Sequence, residues 1–281
     1  MTNTSIQIPS HVVAATVRGL IKGFRFAEAR ALLEAADGAD DAEVAVARAE
    51  LMVNEDWYAA DATTEAALAA CARIVEAHGG PEDRWEMEYW TMRAAYGRML
   101  FPWTGQWTSS RGRGRELSDM EAVRSHATAL RDNAPDGRRR GWAEFYLGLI
   151  GDNVFGERTD SPGHFAAALR AGREHGDDHL TFEALRHLGD HSHDAGEHDL
   201  TRQRWEDSAR HAARAGLVGP TLAQLLLVAV TARDHGDDAG ALLLARMVSM
   251  WATEIGFRRI SDQAESFIKG DDPTAGPEPE N

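Results

Sequence analysis

The second half of the chain repeats one plan: a stretch with apolar residues at helical spacing, a glycine, and a second such stretch. The turn glycines Gly196 and Gly236 lie 40 residues apart, and Gly148 and Gly189, each following a leucine, lie 41 apart. A recurrence of roughly 34–47 residues is that of helical solenoids, in which a helix pair too short to bury its own apolar face buries it on the next pair. Such a period excludes a single closed core and predicts units stacked in chain order.

The clearest copy covers 181–216. Leu185, Leu188 and Ser192 recur at helical spacing, Gly189 leaves room for a close helix approach, and Gly196 marks the turn. A second helix follows, with Asp199 expected as N-cap and Leu200, Trp205, Ala209 and Ala212 as its apolar stripe. Glu206 and Arg210 are spaced for an i,i+4 pair, and Gly216 ends the helix. Upstream, Ser161 and Pro162 read as cap and first helical residue of a helix running through Phe165, Ala168 and Leu169.

Leu185, Leu188-Gly189, Ser192, Thr201 and Trp205 stand where the tetratricopeptide pattern W-x2-L-G-x2-Y, A-x3-F, P has its marked positions, and the unit resembles that family. It departs at Ser192, where Tyr is usual, at Thr201, where Ala is usual, and at Ala213, where the closing Pro would fall. The resemblance is to degenerate members of the kind common in bacterial regulators and adaptors. It implies an all-α, right-handed α-solenoid of antiparallel helix pairs.

Further pairs are read at 10–37, at 41–78 and at 82–132, the last with a helix ending near Tyr96-Gly97 and another opening on a Ser118/Glu121 capping box. About six pairs and a final helix over 258–268 result, in one repeat domain spanning 1–269. Arg138, Arg139 and Arg140 are placed just before a helix at 142–150. The segment 270–281, rich in Pro and acid, is expected to be a disordered tail.

Composition agrees with this class. Hydrophobic residues make up 43% of the 281 positions, enough for a large core, and no stretch shows the alternation of a strand. The net charge of −15 repels phosphate backbones and argues against nucleic acid as a partner. The lone cysteine, Cys71, forms no internal disulfide and reads as a small core residue. The opening MTNTSIQIPS lacks a leader's basic and apolar regions, and no apolar run reaches the ~20 residues that span a bilayer, so a cytoplasmic protein without membrane contact is expected.

In tetratricopeptide-like proteins the first helices of successive pairs line the concave surface. The resemblance thereby implies a groove lined by Asp152, Asn153, Arg186, Asp190, His193, Asp194, Arg233 and Asp234. Helical geometry independently places Arg186, Asp190 and His193 or Asp194 on one face. The carboxylates of Asp190 and Asp194 repel at i,i+4, which calls for compensation by Arg186, Arg233 or a ligand cation. The competing reading is a solvated charged face.

His187 and His191, also at i,i+4, could reach one metal ion, but there is no HExxH motif and no supporting cysteine, and by repeat phase both fall off the groove. Hydrogen bonds between helices are the plainer role, and no metal or other cofactor is assigned. The irregular insertion 101–117 carries Trp103 and Trp107, then Arg111, Arg113 and Arg115, and suits either a lid with stacking and guanidinium groups or a loop anchored by its tryptophans. No GxSxG, Walker loop or strand-borne GxGxxG is present.

The reading that follows is a binding or adaptor protein holding a peptide segment of a protein partner, or a small polar molecule, in its groove. One alternative is an enzyme, for instance of secondary metabolism, with Asp190 or His193 as acid or base beneath the 101–117 loop and no catalytic residue assigned. Another is an assembly scaffold. A homodimer is left open.

Overall fold

The computed structural model describes residues 8–36, 40–59, 64–100 and 116–274. Among these residues all regular structure is helical, and thirteen α-helices follow one another in an α-solenoid order of antiparallel pairs. Two compact units are formed, Met1–Trp107 and Thr108–Asn281.

In the first unit, α1 (Ser10–Lys22), α2 (Phe26–Ala35), α3 (Ala42–Ala59), α4 (Glu65–His78) and α5 (Pro81–Leu100) pack around α3. Val13, Val17, Ile21, Leu33, Val44 and Leu51 bury the α1–α2–α3 core. Arg18 of α1 reaches Glu50 of α3 at 3.2 Å and Glu86 of α5 at 3.1 Å. Burial pushes the Glu50 carboxyl up, and Arg18 opposes that shift. Cys71 is buried in α4, as a small core residue should be.

The second unit contains α6 (Leu117–Asp132), α7 (Gly137–Ile150), α8 (Ser161–Glu174), α9 (Asp178–Asp194), α10 (His198–Arg214), α11 (Val218–Asp234), α12 (Asp238–Glu254) and α13 (Arg258–Lys269). Each packs on its chain neighbours, and α7 also touches α9, as α11 touches α13. Helices α9 to α12 end by one device. Gly196 has φ +73° and donates to the His193 carbonyl at 2.9 Å, while Glu197 N–H reaches back to the Ser192 carbonyl at 2.9 Å. This Schellman closure needs a left-handed residue, which glycine adopts without a Cβ clash. Left-handed glycines recur every 20 residues, at 156, 176, 196, 216, 236 and 256, and after the π-helical turn the Glu157 N–H reaches one residue further back, to the Gly151 carbonyl.

Pairs lock by a ring set into a glycine notch. A Cβ on Gly148 would lie 2.6 Å from the Phe165 ring, and one on Gly189 would lie 2.4 Å from the Trp205 ring. Phe165 and Trp205 stand 40 residues apart, and the next positions in the series, Ala229 and Ala245, are fully buried small residues. Large opposite small, or small opposite small, keeps the spacing between helices constant.

Several end assignments differ from those read in the sequence. Glu197, not Asp199, is the N-cap of α10, so Asp199 sits in the first turn beside Arg202. Leu200 is exposed, and Arg210 bonds Asp207 at i,i+3 instead of Glu206. Ser161 lies inside α8, buried, with its hydroxyl donating to the Glu157 carbonyl at 3.0 Å. Glu116 precedes α6 and no side chain caps it, so Ser118 forms no capping box. The arginines at 138–140 belong to the first turn of α7, where Asp136 caps the helix by accepting from Arg139 N–H at 2.7 Å. The N-cap differences at α6, α8 and α10 amount to one or two residues, where several polar side chains compete for the same free N–H groups, whereas α7 begins five residues earlier than read.

Candidate functional site

Gly148 and the left-handed Gly156 are separated by eight residues, whereas Gly189 to Gly196 and Ala229 to Gly236 are seven. The extra residue is taken up by one π-helical turn, Gly151–Phe155, which ends α7 and accounts for the 41-residue step. An inserted residue rotates whatever follows by about 100°. Asp152, inside that turn, is driven into the seam with α9, where its carboxylate side chain is 6% exposed and its Oδ2 lies 2.8 Å from His191 Nε2. Its Oδ1 is buried without a hydrogen-bond partner.

The α7–α9 seam continues upward from this pair. Phe145 meets the His187 ring at 5.5 Å, Trp142 meets the His179 ring at 4.8 Å, and Trp142 Nε1–H donates to Asp177 Oδ2 at 3.0 Å. Asp152 and His191 together have the parts of an acid–base pair, but the imidazole side chain is only 14% exposed and packs against Phe165. What this arrangement does is tie α7 to α9.

Of the residues read as one groove, the structure makes two groups. Arg186 and Asp190 lie half-buried along α9. Asp190 Oδ1 accepts from Trp205 Nε1–H at 3.1 Å, and its Oδ2 faces His187 Nδ1 at 3.5 Å. Arg186 approaches the other nitrogen of His187, Nε2, at 3.4 Å. Since a guanidinium only donates, Nε2 is the accepting nitrogen, and the neutral ring carries its proton on Nδ1. Burial first, then the positive charge of Arg186, holds His187 well below the ordinary histidine range. Burial raises the Asp190 carboxyl, against the pull of Arg186 and the Trp205 N–H.

The second group is a row at the C-terminal ends of successive odd-numbered helices: Asp152 and Asn153 after α7, His193 and Asp194 ending α9, Arg233 and Asp234 ending α11. Asp194 pairs with Arg158, from the turn before α8, while the charge of Arg186 acts on Asp190. His193 lies against the Trp205 ring at 5.3 Å. Arg233 covers the Phe267 ring at 3.9 Å. Asn153 is half-buried and Asp234 exposed. Asp152 hydrogen-bonds His191, and Asp190 hydrogen-bonds Trp205.

A further element meets this row. After α13 the segment Asp271–Thr274 returns across it: Arg233 Nη2 donates to the Asp271 carbonyl at 3.3 Å, and Thr274 Oγ1 lies 3.1 Å from His193 Nε2. The sequence reading assigned this stretch to a disordered tail, and residues 275–281 lie outside the described residues. Trp103, Trp107, Arg111 and Arg113 of the insertion also lie outside them.

His187 and His191 do not point at a common ligand, since Asp152 takes one and Arg186 and Asp190 flank the other. Among the described residues no three His, Cys, Asp or Glu side chains gather to hold a metal ion. His164 with Glu144 and His211 with Asp178, both at 2.6 Å, bridge neighbouring helices in the same way as His191. Trp205 and Arg158 are site residues that repeat phase alone passed over, while His191 makes the hydrogen bond between helices expected as its plainer role. The step of 41 against 40 was the available signal that its partner is Asp152.

No family model matches the chain, and no curated protein matches it. Among solved structures, a Rap protein complexed with Competence and Sporulation Factor is similar in fold, with a TM-score of 0.58 and 11% sequence identity over 92% of this chain and 70% of that one. At this identity the likeness concerns the fold, a tetratricopeptide-like helical repeat. No helix among the described residues is long and apolar enough to cross a membrane.

Proposed function

We propose that the chain is a binding protein that holds an extended segment of a protein partner along the row of odd-helix ends in its second unit. One observation carries this reading. His193 and Arg233, 40 residues apart and equivalent in consecutive pairs, both hydrogen-bond the same non-helical stretch, Asp271–Thr274. A row that offers one polar side chain per helix pair matches an extended chain, which presents carbonyl groups and side chains at regular intervals. Helix C-termini carry partial negative charge, which favours the cationic and donor groups placed there, Arg158, His193 and Arg233.

The reading is tested by display selection of twelve-residue peptides against the chain, followed by binding to His193→Phe and Arg233→Met proteins. Each lost hydrogen bond is worth about 0.5–1.5 kcal/mol, or roughly a two- to tenfold loss of affinity. Selected peptides indifferent to both substitutions would remove the proposal.

A further inference from the structure

We infer that Asp271–Thr274 is a built-in occupant of the partner's seat, and that the seat reads a main-chain carbonyl and, three residues later, a hydroxyl side chain. The inference rests on the docking reading above and names the ligand class for it. Gly270, at φ +112°, closes α13 and turns the chain back. Asp272 Oδ1 then accepts from Thr274 N–H at 2.8 Å and from Thr274 Oγ1–H at 2.6 Å, an Asx-type turn that shapes the segment from within.

Because the hydroxyl proton is committed to that carboxylate, Thr274 Oγ1 accepts from His193, whose Nε2 must carry the hydrogen. The other nitrogen, Nδ1, is buried without a partner, and the ring rests on Trp205, so His193 is held with Nε2–H aimed at the seat. At the other end, the Arg233 guanidinium is fixed over Phe267 and donates to the Asp271 carbonyl. The contacts to the row are thus one carbonyl and one hydroxyl, with an Asp between them shaping the turn. A partner segment of the form Asp or Asn, any residue, Ser or Thr reproduces this set and must displace the resident one. Being tethered directly after α13, the resident segment has an effective concentration of about millimolar or higher, so even a weak seat stays filled.

Histidine-ring NMR tests this on three proteins: the full chain, Thr274→Val, and the chain cut after Gly270. The His193 signals, identified by their loss in His193→Phe, should move in both altered proteins. A synthetic peptide of residues 270–281, added at millimolar concentration, should move them back in the cut chain and leave the full chain unchanged. Peptides selected by display on the cut chain should be enriched in Asp/Asn-x-Ser/Thr and bind the full chain about tenfold more weakly, the strength of one or two hydrogen bonds. Coincident His193 signals in the full and cut chains would overturn the inference. So would selected peptides that bind both chains equally through His193 and Arg233, an outcome that leaves the docking reading standing. A selection that yields no peptide sensitive to either residue removes the docking reading and takes the inference with it.

Discussion

Replacing Gly189 by alanine should destabilise the protein, and removing the Trp205 ring should reverse the sign of that effect. The added Cβ would lie 2.4 Å from both Cδ1 and Nε1 of Trp205, a ring 1% exposed whose N–H is bonded to Asp190. Overpacking of this kind costs about 1–3 kcal/mol, and the gain from replacing a mid-helix glycine is about 1 kcal/mol. With a clash this short against a ring that cannot retreat, a net loss of about 1–2 kcal/mol is expected. Trp205→Ala alone should cost about 3–5 kcal/mol through the cavity it leaves. In that background the notch is empty, only helix propensity remains, and Gly189→Ala should stabilise by about 1 kcal/mol. The coupling between the two sites is then about 2–3 kcal/mol, readable as a double-mutant cycle in urea denaturation followed by far-UV circular dichroism. The unit with Ala229 and Ala245 already carries the small-on-small solution. An alanine at 189 with the same sign of effect in both backgrounds would refute the ring-in-notch account of how the pairs lock.

Other expectations follow from the same contacts. Because His187 is held below its unfolded value of 6.5, the unfolded chain takes up a proton first as pH falls, and stability drops below about pH 6.5 by at most about 1.4 kcal/mol per pH unit. His187→Phe, which keeps a ring on Phe165, should flatten that part of the stability–pH curve; denaturation midpoints at pH 7.5 and 5.5 that fall as steeply in the variant would count against it. Asp152→Ala leaves His191 Nε2 without its acceptor and should cost about 1–3 kcal/mol in urea denaturation, with Asp152→Asn, which retains an acceptor, costing less. Gly216→Ala and Gly236→Ala each place a Cβ in left-handed backbone, at φ +75° and +82°. Each should cost about 1–2 kcal/mol, and the two should add in the double variant because they close different helices; a neutral effect at both would contradict the Schellman closures.

How much of this could be read beforehand follows from the range of the forces involved. The thirteen helices, their pairing and the glycine turns were legible because each is decided within a few residues: apolar spacing selects the helix, and a left-handed position selects glycine. Gly189 as a point of close approach was legible for the same reason. The polar partners were not. Asp194 finds Arg158, 36 residues away, where the sequence offered Arg186 and Arg233, and Arg210 takes Asp207 in place of Glu206. A hydrogen bond between helices was expected of His191, but its partner was not named, because the single residue absorbed in the π-helical turn swings Asp152 onto it.

The amino-acid sequence determined on its own that this chain is a stack of helix pairs, because burying apolar area is non-directional and a recurring stripe suffices to specify it. Only the tertiary structure decided which polar groups meet. Joining His193 to Thr274, 81 residues later, needs a donor and an acceptor about 3 Å apart and aligned. That alignment is set by the turn of one helix end and the return of a distant segment, and no periodicity in the chain encodes it.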